Sequence, residues 1–367
     1  MAAGMPKIGN LGTAILTRAL ALGLAAALPV PSAQAQVEQA IPDWTLAEME
    51  QAITAGKLGK IRAVAAEQGG TIIYRKRFGK GELGDPVDIK SAGKSITALA
   101  VGMAIEDGAL SGTDAKVWPL LGSSRGAPFD QITVSDLLTM ASALDCNDWD
   151  RQSPGQEERM YRRRVWRDFA LSLPAREFAR DEHGKGPFSY CTAGVFLLGQ
   201  VVETATGERF DTYVQRRLFD PLGIDGVRWR TSRSGEIQSG GQLTISDSAL
   251  LKIGRLVLNG GEWEGKRIVS EEWLRQMLSP RHQLGPHVHY ANLWWLTPLR
   301  SEAGFVGAFM MKGNGGNIIA LVPSHDAVLL VQTQNYNRKH AERHGFRVLT
   351  SLLRSLKLPD NQAATQP

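Results

Sequence analysis

Residues 91–108 read SAGKSITALAVGMAIEDG, and the rest of the chain is interpreted outward from this stretch. From Ser95 to Ile105 it holds only apolar, small and hydroxyl residues, and Asp107-Gly108 supplies a stop, so a buried helix is predicted over Ser91–Glu106. Ser91 and Lys94 stand three residues apart and share one face of that helix. Burial penalises the charged form of a lysine and lowers its pKa, so Lys94 can take the hydroxyl proton of Ser91 and make a nucleophile with its own base. Ser-x-x-Lys is a short pattern that many solvated helices carry. Its weight here comes from the apolar run behind it and from partners further along. Gly93-Lys94-Ser95 also echoes a phosphate-binding loop, but Asp88 stands where that loop needs a glycine, which argues against nucleotide binding.

On either side of this helix the periodicity differs. Before it, Ile61–Ala66 and Thr71–Tyr74 are short strand-like runs around Gly69-Gly70 and read as a hairpin. From Ser91 to about Leu258 the pattern is helical, with segments at Ser135–Met140, Gly194–Thr204, Phe210–Leu218 and Ser246–Leu258. Beyond lie strand-like runs at Phe305–Met311, Asn317–Val322 and Ala327–Thr333, then a closing helix over Glu342–Leu356. A sheet domain drawn from residues 36–90 and 259–358, interrupted by a helical region at 91–258, places Ser91 at the seam, where ligand clefts tend to form. The tail at 359–367 is expected to be disordered.

At 367 residues, 43% apolar and 22% charged, the composition is that of a globular protein. Lys7 and Arg18, the apolar run Ala19–Leu28 and Ala33-Gln34-Ala35 together read as a secretory signal cut after Ala35. That run is about ten residues where a membrane span needs roughly 20, so no stable span is expected after cleavage. The leader carries two basic and no acidic residues, so the formal charge of +5 falls to +3, too mild for nucleic acid. Export makes a disulfide between the two cysteines, Cys146 and Cys191, the economical reading, with two buried thiols as the alternative. A bridge would tie the loop Asp145-Cys146-Asn147-Asp148 to Tyr190. The expected location is the periplasm or outside the cell.

A serine–lysine pair needs a group that hands the proton to the leaving group, and a tyrosine beside a lysine can serve because the cation favours its phenolate. Tyr190, in Ser189-Tyr190-Cys191-Thr192 before the helix-like Ala193–Val202, is the candidate. Acyl transfer also needs N–H donors for a developing oxyanion, and Gly313-Asn314-Gly315-Gly316 lets a substrate approach backbone closely.

In this order the pieces resemble the penicillin-binding, class C β-lactamase-like serine hydrolases over about residues 50–355. Ser91-x-x-Lys94 matches the first motif of that family. Tyr190-Cys191-Thr192 lies where it carries Tyr-x-Asn, and residues 313–316 where it carries Lys-Thr-Gly. The segments 132–144 (ITVSDLLTMASAL), 218–224 (LFDPLGI), 239–247 (SGGQLTISD), 259–273 (NGGEWEGKRIVSEEW) and Trp294-Trp295 resemble the branch of esterases and 6-aminohexanoate-dimer hydrolases. The resemblance implies an α/β (α+β) fold of β-lactamase/transpeptidase type, with an antiparallel sheet from both chain ends flanked by helices. It implies two-step acyl transfer by Ser91, Lys94 and Tyr190, with no metal or cofactor. Substrate and oxyanion contacts fall on Ser91, Thr192, Lys312, Gly313, Asn314 and Gly315, the N–H of Asn314 being favoured beside that of Ser91. Thr192 replaces the asparagine, and Met311-Lys312-Gly313 or Gly313-Asn314-Gly315 replaces Lys-Thr-Gly. The asparagine helps bind substrate amide groups, and loss of the lysine-threonine pair weakens recognition of the carboxylate that β-lactams and peptidoglycan stems present, so a small-molecule ester or amide is the expected substrate. The rival readings are a β-lactamase or D-alanyl-D-alanine carboxypeptidase, and a penicillin-recognising sensor that never turns over.

Two further patterns are set aside. Gly122-Ser123-Ser124-Arg125-Gly126 fits G-x-S-x-G, but Pro119 and Pro128 deny it the strand and helix that motif needs. His287-Val288-His289 lacks a third metal ligand and is read as a surface loop.

Overall fold

The computed structural model describes residues 44–177, 186–302 and 304–357. The leader and the tail expected at 1–35 and 359–367 lie outside these residues. Strands β1 (Ile61–Gln68) and β2 (Thr71–Arg77) form the expected hairpin, turned by Gly69 and Gly70 at φ 57° and 81°. Strands β3 (His282–Gly285), β4 (Val288–Tyr290), β5 (Trp295–Ser301), β6 (Gly304–Gly313), β7 (Asn317–Val322) and β8 (Ala327–Thr333) complete an antiparallel eight-stranded sheet in the order β2-β1-β8-β7-β6-β5-β4-β3. The two ends of the chain meet where β1 pairs with β8, from Ile61 opposite Thr333 to Gln68 opposite Ala327.

Every residue of β7 and β8 is buried, because helices cover both faces. Ile318, Ala320 and Val322 point to one side, against Val348, Leu349 and Leu352 of helix α5 (Ala341–Arg354). Ile319 and Leu321 point to the other, into the larger core. That core holds α2 (Lys94–Glu106), α3 (Thr192–Thr206) and α4 (Asp247–Leu258). Helix α1 (Leu46–Thr54), closed by a Thr45/Glu48 capping box, packs under α5.

Three differences from the expected elements matter. Ser91 does not open the α-helix: it sits in a 3₁₀ turn, Lys90–Gly93, that leads into α2. Side chains at i and i+3 eclipse in such a turn, which brings Ser91 and Lys94 directly together. Second, the sheet gains β3 and β4, so the histidines expected in a surface loop lie on and beside a hairpin, with His289 within β4. At four and three residues these strands are too short for an alternation to signal them. Third, β5 contains Pro298, placed beyond the last β4 pairing at Leu296, where its missing N–H breaks no ladder.

Candidate active site

The Lys90–Gly93 turn is held between two glycine-bearing segments. A Cβ on Gly241 (φ 133°) would lie 2.8 Å from the Lys90 carbonyl oxygen and 3.2 Å from Ser91 Cα. On the other side, a Cβ on Gly313 would lie 1.9 Å from the Ile89 carbonyl oxygen. No side chain fits at either place, so the end of β6 and the 240–241 segment clamp Ser91 by backbone contact. The 239–241 segment is tied to α2, since Thr97 Oγ1 donates to the Ser239 carbonyl at 2.6 Å. Ser239 Oγ in turn donates to the carbonyls of Val195 and Phe196 in α3.

Lys94 is 1% exposed, and its Nζ donates to Ser91 Oγ at 3.1 Å and to the Gly240 carbonyl at 2.5 Å. Burial drives its pKa below the ordinary lysine value; the charges of Glu157 and Asp148 oppose this without reversing it. Tyr190 is 8% exposed, with the Lys94 ammonium 5.1 Å from its ring centroid. The phenolate expected beside a lysine is not favoured. Burial raises the Tyr190 pKa well above 10, outweighing the hydrogen bond with Ser91, and Asp148 and Glu157 add to the rise. Burial thus favours the neutral phenol of Tyr190, which lines the same cavity as Ser91.

Tyr190 is fixed by the loop that Cys146 begins. The Cys146–Cys191 disulfide is present, with the Cα atoms 5.3 Å apart. Ser189 Oγ donates to the Cys146 carbonyl at 2.7 Å and Asp148 N–H to the Tyr190 carbonyl at 2.8 Å. The Asp148 carboxylate accepts from the Thr192 N–H at 2.7 Å and the Glu157 N–H at 2.9 Å. Burial and the Glu157 charge push the pKa of Asp148 up to about 6, while Lys94 and Thr192 pull the other way. Glu157 accepts from the Tyr161 hydroxyl at 2.8 Å.

Ser91, Tyr190, Lys312, Gly313, Asn314 and Gly315 line one cavity of about 880 Å³, with Asp148, Trp149, Glu157 and Trp295 among the other wall residues. The Asn314 side chain exchanges hydrogen bonds with Asn337, at 2.6 Å to its Oδ1 and 2.8 Å from its N–H, and the Asn314 carbonyl accepts from Asn317. Lys312 Nζ is 2.5 Å from Glu342 and 4.3 Å from the Trp295 ring centroid. Thr192 has a different place from the one expected of it. It is fully buried as the first residue of α3, away from the cavity wall, where its N–H anchors Asp148.

Asp148, Glu157 and Gly240-Gly241 were not among the candidates. Asp148 was within reach of sequence reasoning, since the cysteine pair ties its loop to Tyr190. Gly240-Gly241 is a glycine pair before a strand. That its carbonyl receives Lys94 depends on a contact 146 residues apart.

Residues 62–351 match the family described as Beta-lactamase. A 6-aminohexanoate-dimer hydrolase from Paenarthrobacter ureafaciens is 26% identical over 259 residues, 66% of this chain and 64% of that protein's length. The chain thus spans somewhat under two thirds of this relative. Among solved structures, a putative 6-aminohexanoate-dimer hydrolase from Bacillus anthracis superposes with a TM-score of 0.67 at 18% identity, covering 80% of this chain and 78% of that one. A class C β-lactamase from Rhodobacter sphaeroides gives 0.62 at 18% identity, covering 84% and 98%. These two likenesses speak for the β-lactamase/transpeptidase fold. With the family match running through all of the helical region and most of the sheet, the chain belongs to the Beta-lactamase family.

Proposed function

We propose that the protein is an exported serine hydrolase that cleaves an ester or small amide through a Ser91 acyl-enzyme. The observation that carries this reading is Lys94, buried to 1% exposure and donating to Ser91 Oγ at 3.1 Å on the wall of an 880 Å³ cavity. With its pKa lowered by burial, Lys94 takes the Ser91 proton as Oγ attacks the substrate carbonyl carbon. The oxyanion that forms is met by the N–H groups of Ser91 and Asn314. In support, the Asn314 side chain and carbonyl are already committed, and its N–H donates to no backbone or side-chain acceptor among the described residues. The protonated Lys94, through the neutral Tyr190 phenol, delivers a proton to the leaving oxygen or nitrogen as the carbonyl–heteroatom bond breaks. Water then attacks the acyl-enzyme, gives its proton to Lys94 through the same relay, and releases the acid as Ser91 regains its hydrogen.

Lys312 bears on the substrate. A β-lactam or peptidoglycan stem would bring a carboxylate to this wall, but the Lys312 ammonium is already paired with Glu342 and lies over Trp295. This favours a substrate without that carboxylate. The Cys146–Cys191 disulfide supports export to an oxidising compartment. The test is intact-mass labelling with a fluorophosphonate, together with a chromogenic cephalosporin and a short p-nitrophenyl ester. Labelling of the wild type, none of Ser91→Ala, and ester turnover in excess of cephalosporin turnover are expected. Labelling that survives in Ser91→Ala overturns the nucleophile.

A further inference from the structure

Trp149 is 63% exposed, the most exposed of the large apolar side chains described, yet it is not loose. Its indole lies parallel to the Tyr190 ring, at 6° with centroids 5.3 Å apart, and 5.7 Å from the Phe188 ring. Its backbone N–H donates to Asn147 Oδ1 at 3.0 Å, and the flanking residues are held by the disulfide at Cys146 and by the hydrogen bonds of Asp148 with Tyr190, Thr192 and Glu157. One face is thus stacked on a side chain of the site, and Trp149 is among the residues that line the cavity containing Ser91. The other indole on this wall, Trp295, is differently disposed, because the Lys312 ammonium sits 4.3 Å from its ring centroid and is kept there by Glu342. Among the described residues, Trp149 thus offers an aromatic surface open to a ligand. A rigid aromatic platform binds a planar group at low ordering cost, and stacked rings gain stabilisation beyond the area they bury.

We propose that Trp149 forms an aromatic subsite for the leaving group, so that the preferred substrates are esters or amides of alcohols or amines carrying an aryl ring one or two bonds from the scissile heteroatom. The assignment to the leaving-group side rests on the hydrolase reading above, in which Tyr190 passes the proton to the departing heteroatom. The indole stacked on Tyr190 lies beside that atom.

The experiment compares benzyl acetate with cyclohexylmethyl acetate. Both yield the same acetyl-enzyme, so the change in the ratio of their kcat/KM values between wild type and variant reports the leaving-group contact. The wild type is expected to prefer the benzyl ester about threefold to tenfold, the range that one ring–ring contact supplies. In Trp149→Leu, which keeps an apolar cover over Tyr190, the ratio falls to near one. In Trp149→Phe, which keeps a ring, most of the preference remains. Taking the ratio within each variant removes any general loss from disturbing Tyr190. Cleavage of both esters with the same ratio in wild type and Trp149→Leu overturns the subsite while leaving the hydrolase reading in place. If neither ester is cleaved and Ser91 takes no fluorophosphonate, the hydrolase reading fails and the subsite with it.

Discussion

Replacing Lys94 by methionine separates the chemistry of the site from its stability. The ammonium is 1% exposed and has two polar contacts, Ser91 Oγ at 3.1 Å and the Gly240 carbonyl at 2.5 Å. Exchanging the buried ammonium for an apolar side chain relieves its desolvation penalty, of order several kcal/mol, but takes from Asp148 and Glu157 a cation that offsets their charge. Leaving the Gly240 carbonyl without its donor costs about 1–3 kcal/mol. These two costs nearly cancel the relief, so Lys94→Met is expected to melt within about 5 °C of the wild type. Acylation behaves differently, since losing a positioned base costs about 10²–10⁴-fold. The assay is the rate of fluorophosphonate labelling followed by intact mass across pH, beside thermal unfolding. In the wild type the rate rises with pH as Lys94 gives up its proton; in the variant it is at least about 10²-fold slower and that limb is gone. Stability provides a second reading. The folded lysine has a lowered pKa, so between that value and the unfolded 10.5 the unfolded chain binds the extra proton, and wild-type stability climbs with pH through this window. Lys94→Met loses this climb. A variant that labels within tenfold of the wild-type rate with its pH limb intact would refute the assignment of Lys94 as base.

Two further outcomes follow from the loop that carries Asp148. Because the Asp148 carboxyl is pushed up to about 6, its charge is a burden on the folded state above that pH. Asp148→Asn should therefore be more stable than the wild type above pH 6, the difference closing as pH falls toward 4, which chemical denaturation at several pH values measures. Since Asp148 also raises the pKa of Lys94, the same variant should move the pH limb of acylation to lower pH. The disulfide closes a loop of 45 residues, for which chain entropy predicts about 4 kcal/mol. Cys146→Ser/Cys191→Ser should melt lower by a comparable amount and lose activity beyond that expected from unfolding, because Tyr190 is freed. Thermal unfolding and single-turnover labelling, each with and without reductant, check both.

Much of the fold could be read from local pattern. The Gly69-Gly70 hairpin, the apolar run after Lys94, and the β6–β8 runs lie within a residue or three of where periodicity put them, because burial on one or both faces leaves its mark on consecutive residues. Strands β3 to β5 escaped, since His282, Gln283 and Pro298 carry no alternation and the sheet alone explains their extended shape. In the site, Ser91 and Lys94 were legible because i and i+3 neighbours need no tertiary contact to meet. Thr192 was misplaced for the opposite reason: a position beside Tyr190 in sequence says nothing about which way the chain turns into α3.

What the amino-acid order determined by itself was the serine–lysine pair and a sheet assembled from both ends of the chain; it made a cysteine bridge the economical reading, which the structure contains. The tertiary structure alone decided how the pair is tuned. Packing against Gly240-Gly241 and Gly313 turns the Ser91 segment into a 3₁₀ bend and shuts Lys94 away from water. The loop at 146–157 brings Asp148 toward Lys94 and lays Trp149 on Tyr190. The reason is one of range. A motif depends on neighbours a turn away, whereas a lowered pKa, a fixed phenol and an aromatic wall depend on which distant segments exclude water around them.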